Sequence, residues 1–166
     1  MTITRSGLGY DIHPFTLGRP LILGGVLVPH PQEKGLDGHS DADVLTHAIA
    51  DALLGAAGKR DIGYYFPNDD PLLKDISSLL ILKKALELLL LDGGKIINID
   101  ATLIAQEPKI APYVESMKST LAQVLEIPPS SIALKATTNE GLGALGRKEG
   151  IAALALANVC YLHDAK

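Results

Sequence analysis

Asp37-Gly-His-Ser-Asp-Ala-Asp-Val-Leu-Thr-His47 opens the stretch, ending at Phe66, around which the rest of the chain can be placed. Gly38 and His39 fall in a loop. Ser40 can accept from the backbone N–H of Asp43, and the acidic Asp41 and Asp43 suit a first helical turn, so the sequence predicts a helix beginning at Asp41. Val44, Leu45, Ala48, Ile49, Ala52 and Leu53 then recur at i, i+3, i+4 spacing and give that helix an apolar face to about Ala57. His47 stands one turn after Asp43 and one turn before Asp51, so the three share a stripe beside the apolar face. A histidine on the opening turns of a helix, next to a loop histidine, is a place where a metal and an anion can meet.

The 166 residues are expected to form one domain, 1–166, that buries roughly two-thirds of its unfolded surface. Cys160 has no partner within the chain and lies in an apolar segment, which reads as a buried small hydrophobe in a reducing compartment. No apolar run follows Thr2, Thr4, Arg5 and Ser6, so no signal peptide is expected. The longest apolar run, Leu79 to Leu91, is too short for a bilayer and is broken by Lys83, Lys84 and Glu87. A net charge of −4 argues against nucleic acid as the main partner, since phosphate backbones require clustered Lys and Arg. A small phosphorylated ligand stays open, because a metal can neutralise it locally.

Around the central helix, within Gly7-Leu-Gly-Tyr-Asp-Ile-His13, Leu8 to His13 reads as the end of a strand, the glycines marking close backbone packing. Asp11 and His13 then share a face, because side chains alternate along a strand. Leu21 to Val28 is predicted as a hairpin around Gly24-Gly25, and residues 29–38 as a loop. Gly58 to Pro71 is too rich in turn residues for a regular element, and so long a loop points to function. A second helix is expected from Ser77 or Ser78 to Leu91, a strand over Ile96–Ala105, and a third helix over Tyr113–Glu126 ended by Pro128-Pro129. Ile132–Thr138 is a further strand, Asn139–Gly150 a glycine-rich loop. Ile151–Leu162, apolar almost throughout, is a final strand expected to be covered on both faces. The alternation gives an α/β fold, a mixed sheet with helices packed on one side.

Alone, Asp-x-His on a strand is a weak signal, but His47 on a separate helix strengthens it. Asp11, His13 and His47 offer O, N and N, the three ligands of a zinc site with one position open to substrate. Asp43 or Asp51 could orient an imidazole through its other ring nitrogen.

These residues carry a resemblance to the 2-C-methyl-D-erythritol 2,4-cyclodiphosphate synthase family of the non-mevalonate isoprenoid pathway. Gly7 to His13, Gly38-His-Ser-Asp-Ala-Asp43, His47, Gly58 to Pro67, Ala105-Gln-Glu-Pro-Lys109, Lys135-Ala-Thr-Thr-Asn-Glu140 and Gly146-Arg-Lys-Glu-Gly150 match in order and separation over nearly the whole chain. The resemblance implies a phosphorus–oxygen lyase. The 2-phosphate of 4-diphosphocytidyl-2-C-methyl-D-erythritol 2-phosphate would attack the β-phosphorus of the same molecule and expel CMP. The attacking phosphate is already ionised, so no Ser or Cys nucleophile is needed; the protein folds the substrate and offsets charge. Two like unit charges about 4 Å apart repel by roughly 4 kcal/mol at an effective dielectric near 20, and several such pairs call for divalent cations.

By the same resemblance, Asp11, His13 and His47 hold Zn²⁺, and Glu140 holds a second ion, Mg²⁺ or Mn²⁺. His39 and Ser40 position the methylerythritol phosphate, and Thr138 donates to the β-phosphate. Asp61, Ile62 and Gly63 match a loop that contacts substrate hydroxyls, continued by Phe66, Pro67, Asn68, Asp69 and Asp70. Ala105, Gln106, Glu107 and Pro108 match the backbone pocket for cytosine, which runs on through Lys109, near the diphosphate, Ile110 and Ala111. Thr137, Asn139, Ala144 and Arg147 complete the implied substrate contacts. Three positions depart from the pattern: Asn68 where a carboxylate is frequent, Asn139 where some members have threonine, and Ala144 where some have an aromatic.

The resemblance also implies a homotrimer with active sites between subunits, working in the bacterial cytoplasm, or in the plastid stroma where a transit peptide has been removed. The alanines of the last strand favour close packing in an oligomer. Arg147 and Glu149 match residues near the trimer's central opening; from the residues alone they read as an interface salt bridge. No fused transferase domain is expected within the 166 residues, nor any nucleic-acid or membrane partner. Two other functions fit the residues: a zinc phosphoester hydrolase, and a non-catalytic nucleotide-binding module with a structural zinc. Three candidate ligands in place of four count against the second.

Overall fold

The structure, a computed structural model, describes residues 2–67 and 69–162. Its first element is a strand of 16 residues, β1 (Thr2–Leu17), much longer than the segment predicted around Asp11. The hairpin of β2 (Ile22–Leu23) and β3 (Val26–Leu27) turns at Gly24-Gly25 as expected. The following segment is not wholly loop: β4 (Lys34–Leu36) pairs with Phe15–Leu17 of β1. Then come α1 (Val44–Ala56), the single turn α2 (Ile62–Tyr65), α3 (Ser78–Leu91), β5 (Gly94–Ile104), α4 (Val114–Leu125), β6 (Ile132–Thr137), the single turn α5 (Gly143–Gly146) and β7 (Gly150–Leu162).

The five-stranded sheet has the order β4-β1-β7-β5-β6. β5 and β6 run parallel, while the β1–β4, β1–β7 and β5–β7 pairs are antiparallel, so the sheet is mixed. Helices cover one face, with α1 lying on β1 and β7 and α3 packing on α1. Gly7 and Gly9 make that closeness achievable. A Cβ at Gly7 would sit 2.0 Å from the Ala52 carbonyl oxygen, and one at Gly9 only 1.9 Å from that of Ala48. The helix answers with Ala48, Ala52 and Ala56 at i, i+4 spacing, so strand and helix meet backbone to backbone.

The opposite face is uncovered within the chain. Leu8 and Tyr10 pair across the sheet with Leu156 and Leu154, and all four are exposed on that face, as is Ile12. Within one chain the prediction that β7 is covered on both faces is therefore corrected: away from α1 its apolar run buries Ala152 but leaves Leu154 and Leu156 exposed. Cys160 is half-buried, not buried.

The central helix begins later than predicted. Ala42 has a φ of 57°, a left-handed backbone that no helix can include, so Asp41 lies outside α1 and Asp43 is its cap. Ser40 accepts from the Ala42 N–H, not from that of Asp43. The fully buried Asp43 carboxylate accepts from the N–H groups of Gly24, Gly25 and Thr46 and from the Thr46 hydroxyl, tying the hairpin to the helix start. Burial pushes its carboxyl above the usual range, and these donors oppose the shift. Among the described residues no helix is long and apolar enough to cross a membrane.

Gly9→Ala is expected to force α1 off the sheet, lowering stability in urea unfolding by about 3 kcal/mol. A midpoint equal to that of the parent protein would disprove the backbone contact.

Candidate active site

On β1 the odd-numbered residues face α1, so Asp11 and His13 follow Gly7 and Gly9 onto the helix-covered face. His47, in the first turn of α1, comes to meet them. The three offer ligand atoms that lie within 4.8 Å of one another, the one such group among the described residues. They line a cleft with Gly38, His39 and Ser40 from the loop before α1 and with Ile62, Gly63 and Phe66 from the loop after it.

Counting protons shows what the trio is built to hold. His13 Nδ1 lies 2.7 Å from the Asp37 carbonyl, which can only accept, so Nδ1 carries the proton and Nε2 of the neutral ring is a bare lone pair. That Nε2 is 3.0 Å from Asp11 Oδ2. The Ser78 hydroxyl donates to the Asp41 carboxylate, so at 2.8 Å from His47 Nε2 its oxygen accepts the ring proton. His47 Nδ1 is thereby left bare, 2.9 Å from the same Asp11 oxygen. Three lone-pair atoms thus converge with no hydrogen of their own between them. Only added protons or a cation resolve their repulsion, and N, N and O donors suit zinc.

Without a cation, added protons take its place. Burial alone would raise the Asp11 carboxyl, but hydrogen bonds from the His13 and His47 rings, once these are protonated toward it, outweigh burial and hold the group well below the usual carboxylate range. Burial would lower His13, yet its hydrogen bond to Asp11 raises it above the ordinary imidazole value.

The carboxylates of the expected imidazole orienters, Asp43 and Asp51, bond elsewhere, although the Asp43 backbone carbonyl accepts from the His47 N–H at 3.0 Å. Asp43 serves the hairpin, and Asp51 accepts from the Ile62 N–H, its carboxyl raised by burial. Ser78 and the backbone of Asp37 do the orienting instead, together with Ser40, whose Oγ is 3.1 Å from His47 Nε2. Sequence spacing cannot reveal a serine 31 residues away; only its helix-capping position was legible, and the structure gives that role to Ser77.

His39 places Nε2 3.1 Å from the Asp70 carbonyl, so that nitrogen donates and Nδ1 is free to accept. Asp61 caps α2, and Asp70 caps the 3-10 turn Pro71–Leu73. Pro67 and Asp69 lie in the same segment, while Asn68 lies outside the described residues.

The remaining predicted residues gather elsewhere. Thr137, the last residue of β6, is in the same cross-strand row as Ile12, Ala152 and Ile104, and Thr138 and Glu140 follow just beyond it. Three strand spacings, roughly 14 Å, separate that end from β1. Thr138 Oγ1 donates to the Glu140 carboxylate at 3.0 Å and accepts from the Glu140 N–H, so Glu140 stands apart from the Asp11 trio. Asn139 bonds the Leu142 carbonyl, Ala144 lies in α5, and Arg147 pairs with Glu149 at 2.7 Å within the chain.

The segment Ala105–Ala111 leaves β5 beside that end, with a cis bond between Glu107 and Pro108. Ala105 donates to the Thr137 carbonyl, and Gln106 accepts from the Gly141 N–H. Lys148 at 2.7 Å lowers the Glu107 carboxyl, and His30 Nε2 approaches it at 3.6 Å. Ala105, Pro108 and Ile110 are buried and Lys109 is exposed, so the segment is anchored along its length and turns one cation outward.

The chain matches the YgbB family over residues 4–160. A 2-C-methyl-D-erythritol 2,4-cyclodiphosphate synthase from Akkermansia muciniphila is 58% identical over 163 residues, 98% of this chain and 95% of its own. One from Syntrophobacter fumaroxidans is 55% identical over 152 residues, 92% of this chain and 94% of its own. Among solved structures, the bifunctional IspDF from Campylobacter jejuni matches 98% of this chain with a TM-score of 0.93 and 41% identity; the match spans 43% of that chain. The CDP complex of IspF from Plasmodium falciparum matches 96% of this chain and 97% of its own, with a TM-score of 0.83 and 34% identity.

A bound cation must displace protons from His13. Its affinity is therefore full above the raised His13 pKa and falls as pH drops through it, by roughly tenfold per unit for one proton displaced. Zinc titration against a competing chelator, from about pH 8 to about pH 5.5, reads this slope. His47→Ala is expected to remove tight binding, and retention of zinc by that variant would refute the trio.

Proposed function

The chain belongs to the YgbB family, and from that premise we infer that it converts 4-diphosphocytidyl-2-C-methyl-D-erythritol 2-phosphate to 2-C-methyl-D-erythritol 2,4-cyclodiphosphate, releasing CMP. The observation that carries the reading from fold to chemistry is the convergence of three bare lone pairs from Asp11, His13 and His47 in the lining of a cleft. An open set of three serves a substrate; a structural zinc is normally closed by four protein ligands. Asp11, His13 and His47 would hold Zn²⁺, and Glu140 a second ion, Mg²⁺ or Mn²⁺. When bound, such ions supply Lewis-acid polarisation and neutralise phosphate charge.

In this reading the bond that forms joins an oxygen of the 2-phosphate to the β-phosphorus, and the bond that breaks is the anhydride to CMP, which departs with the electron pair. No side chain is needed as nucleophile. His39 and Ser40 bind the methylerythritol phosphate, and the Asp70 carbonyl fixes which His39 nitrogen donates. The Thr138 hydroxyl, now turned to Glu140, donates to the β-phosphate as charge develops. Asp61, Ile62 and Gly63, with Phe66, Pro67 and the acidic residues to Asp70, form the wall over the erythritol. The backbone of Ala105–Ala111, with Lys109, reads the cytosine edge, aided by Thr137, Asn139, Ala144 and Arg147. The CDP complex of the Plasmodium falciparum relative is in keeping with a cytidine diphosphate end on the substrate.

The assembly we propose is a homotrimer of single-domain chains with active sites between subunits. The exposed apolar face of Leu8, Tyr10, Leu154 and Leu156 supports it, since so contiguous a patch seldom faces water. The bacterial relatives and the lone Cys160 are in keeping with a cytoplasmic enzyme.

Phosphorus NMR of the cytidylated substrate with protein, zinc and magnesium is expected to show the cyclic diphosphate and CMP. Inorganic phosphate as the product would point to a hydrolase instead. Thr138→Ala should lower kcat by on the order of 10²-fold while zinc content is unchanged.

A further inference from the structure

Gly38, His39 and Ser40 bring the second histidine to the cleft, and the backbone carbonyl of each of the three is held from outside the loop. Arg19, in the turn after β1, donates from Nη1 to the Gly38 carbonyl at 2.7 Å and from Nη2 to the Ser40 carbonyl. The Asp75 N–H donates to the His39 carbonyl at 2.8 Å. Asp75 also turns its carboxylate to Arg19, with Oδ1 3.6 Å from Nη2. One guanidinium and one aspartate amide thus immobilise three successive peptide groups.

Arg19 is itself anchored. A Cβ at Gly35 of β4 would sit 2.5 Å from the Arg19 carbonyl oxygen and 2.4 Å from that of Pro20, so the backbone carrying the guanidinium is pressed against the sheet. The side chain is only 26% exposed, whereas that of Asp75 is 64% exposed. Their ion pair, open to water, adds little; the bonds to the carbonyls do the holding. A planar fork is required to reach two carbonyls two residues apart, and an ammonium can serve only one in the same geometry.

We propose that Arg19 is a positioning residue for the reaction, setting the backbone of Gly38–Ser40 so that His39 and Ser40 meet the substrate phosphate in register. This rests on the reading of His39 and Ser40 as substrate contacts. Arg19 touches neither the zinc ligands nor the cleft itself; it acts through the loop. Misplacement of a binding group by about 1 Å can cost on the order of 10²-fold in rate, which sets the scale of the effect.

The test compares the parent protein with Arg19→Ala and Arg19→Lys by zinc content, steady-state CMP release and hydrogen exchange at the Asp75 amide. Arg19→Ala is expected to keep its zinc, to lose roughly 10- to 100-fold in kcat, and to exchange the Asp75 amide at least about tenfold faster. Arg19→Lys, which keeps the charge and one carbonyl bond, should fall between the two. Parent-like kcat in Arg19→Lys, or a loss in Arg19→Ala matched by an equal loss of zinc, would overturn the proposal. Should Arg19→Ala fail to fold, Arg19→Lys decides alone on kcat at retained zinc. An inactive parent protein would sink the functional reading; the clamp would still stand or fall on the Asp75 amide, whose unchanged exchange in either variant overturns it.

Discussion

The contact between β1 and α1 is the constraint from which the site follows, and it contains no functional group. Gly7 and Gly9 let the helix settle onto the strand until carbonyl oxygens of Ala48 and Ala52 occupy the volume a Cβ would need. His47 immediately precedes Ala48, and Asp11 follows Gly9 on the same face of the strand. The convergence of the trio is therefore set by a steric fit one step away from it. A methyl group at either glycine would lift the helix and carry the histidine with it.

Around that fit, hydrogen bonds decide protonation before any ion arrives. A peptide carbonyl can only accept and a carboxylate-bound hydroxyl has already donated, so the Asp37 carbonyl and the Asp41–Ser78 pair force the two rings into opposite tautomers. His13 presents Nε2 and His47 presents Nδ1, both toward one oxygen of Asp11. Neither tautomer would be selected by the trio alone, because two bare nitrogens beside a carboxylate repel. The supporting bonds hold the ligands in a state whose repulsion a cation relieves, which is how residues outside the coordination set add to metal affinity.

Much of this was legible in the sequence where periodicity and spacing are local. The alternation of β1 placed Asp11 with His13, the glycines signalled close packing, and the i, i+4 pattern set the buried face of α1. What escaped was non-local or depended on positive φ. Ala42 looks like a first-turn residue, yet its left-handed backbone moves the helix start to Val44 and transfers the cap from Ser40 to Asp43. Asp51 shares the stripe of His47 but is taken by the Ile62 N–H, because the chain doubles back immediately after the helix. Ser78 and Arg19 reach the site by tertiary contact alone. β4, only three residues long, is too short to leave a pattern.

The row Ile12–Ala152–Ile104–Thr137 also constrains how the proposed reaction can be housed. The Asp11 trio stands at one edge of that row and Thr138 with Glu140 at the other, roughly 14 Å away across three strand spacings. A single phosphorus centre served by both groups needs the β6 end of one copy beside the β1 end of another. Those are different patches of the chain. A twofold axis meets the need only where one interface sets β6 of each copy on β1 of the other. A head-to-tail contact repeats until it closes into a ring, and every interface in that ring contains one complete site. The uncovered apolar face of β1 and β7, with Leu8, Tyr10, Leu154 and Leu156, is the surface such a ring would bury.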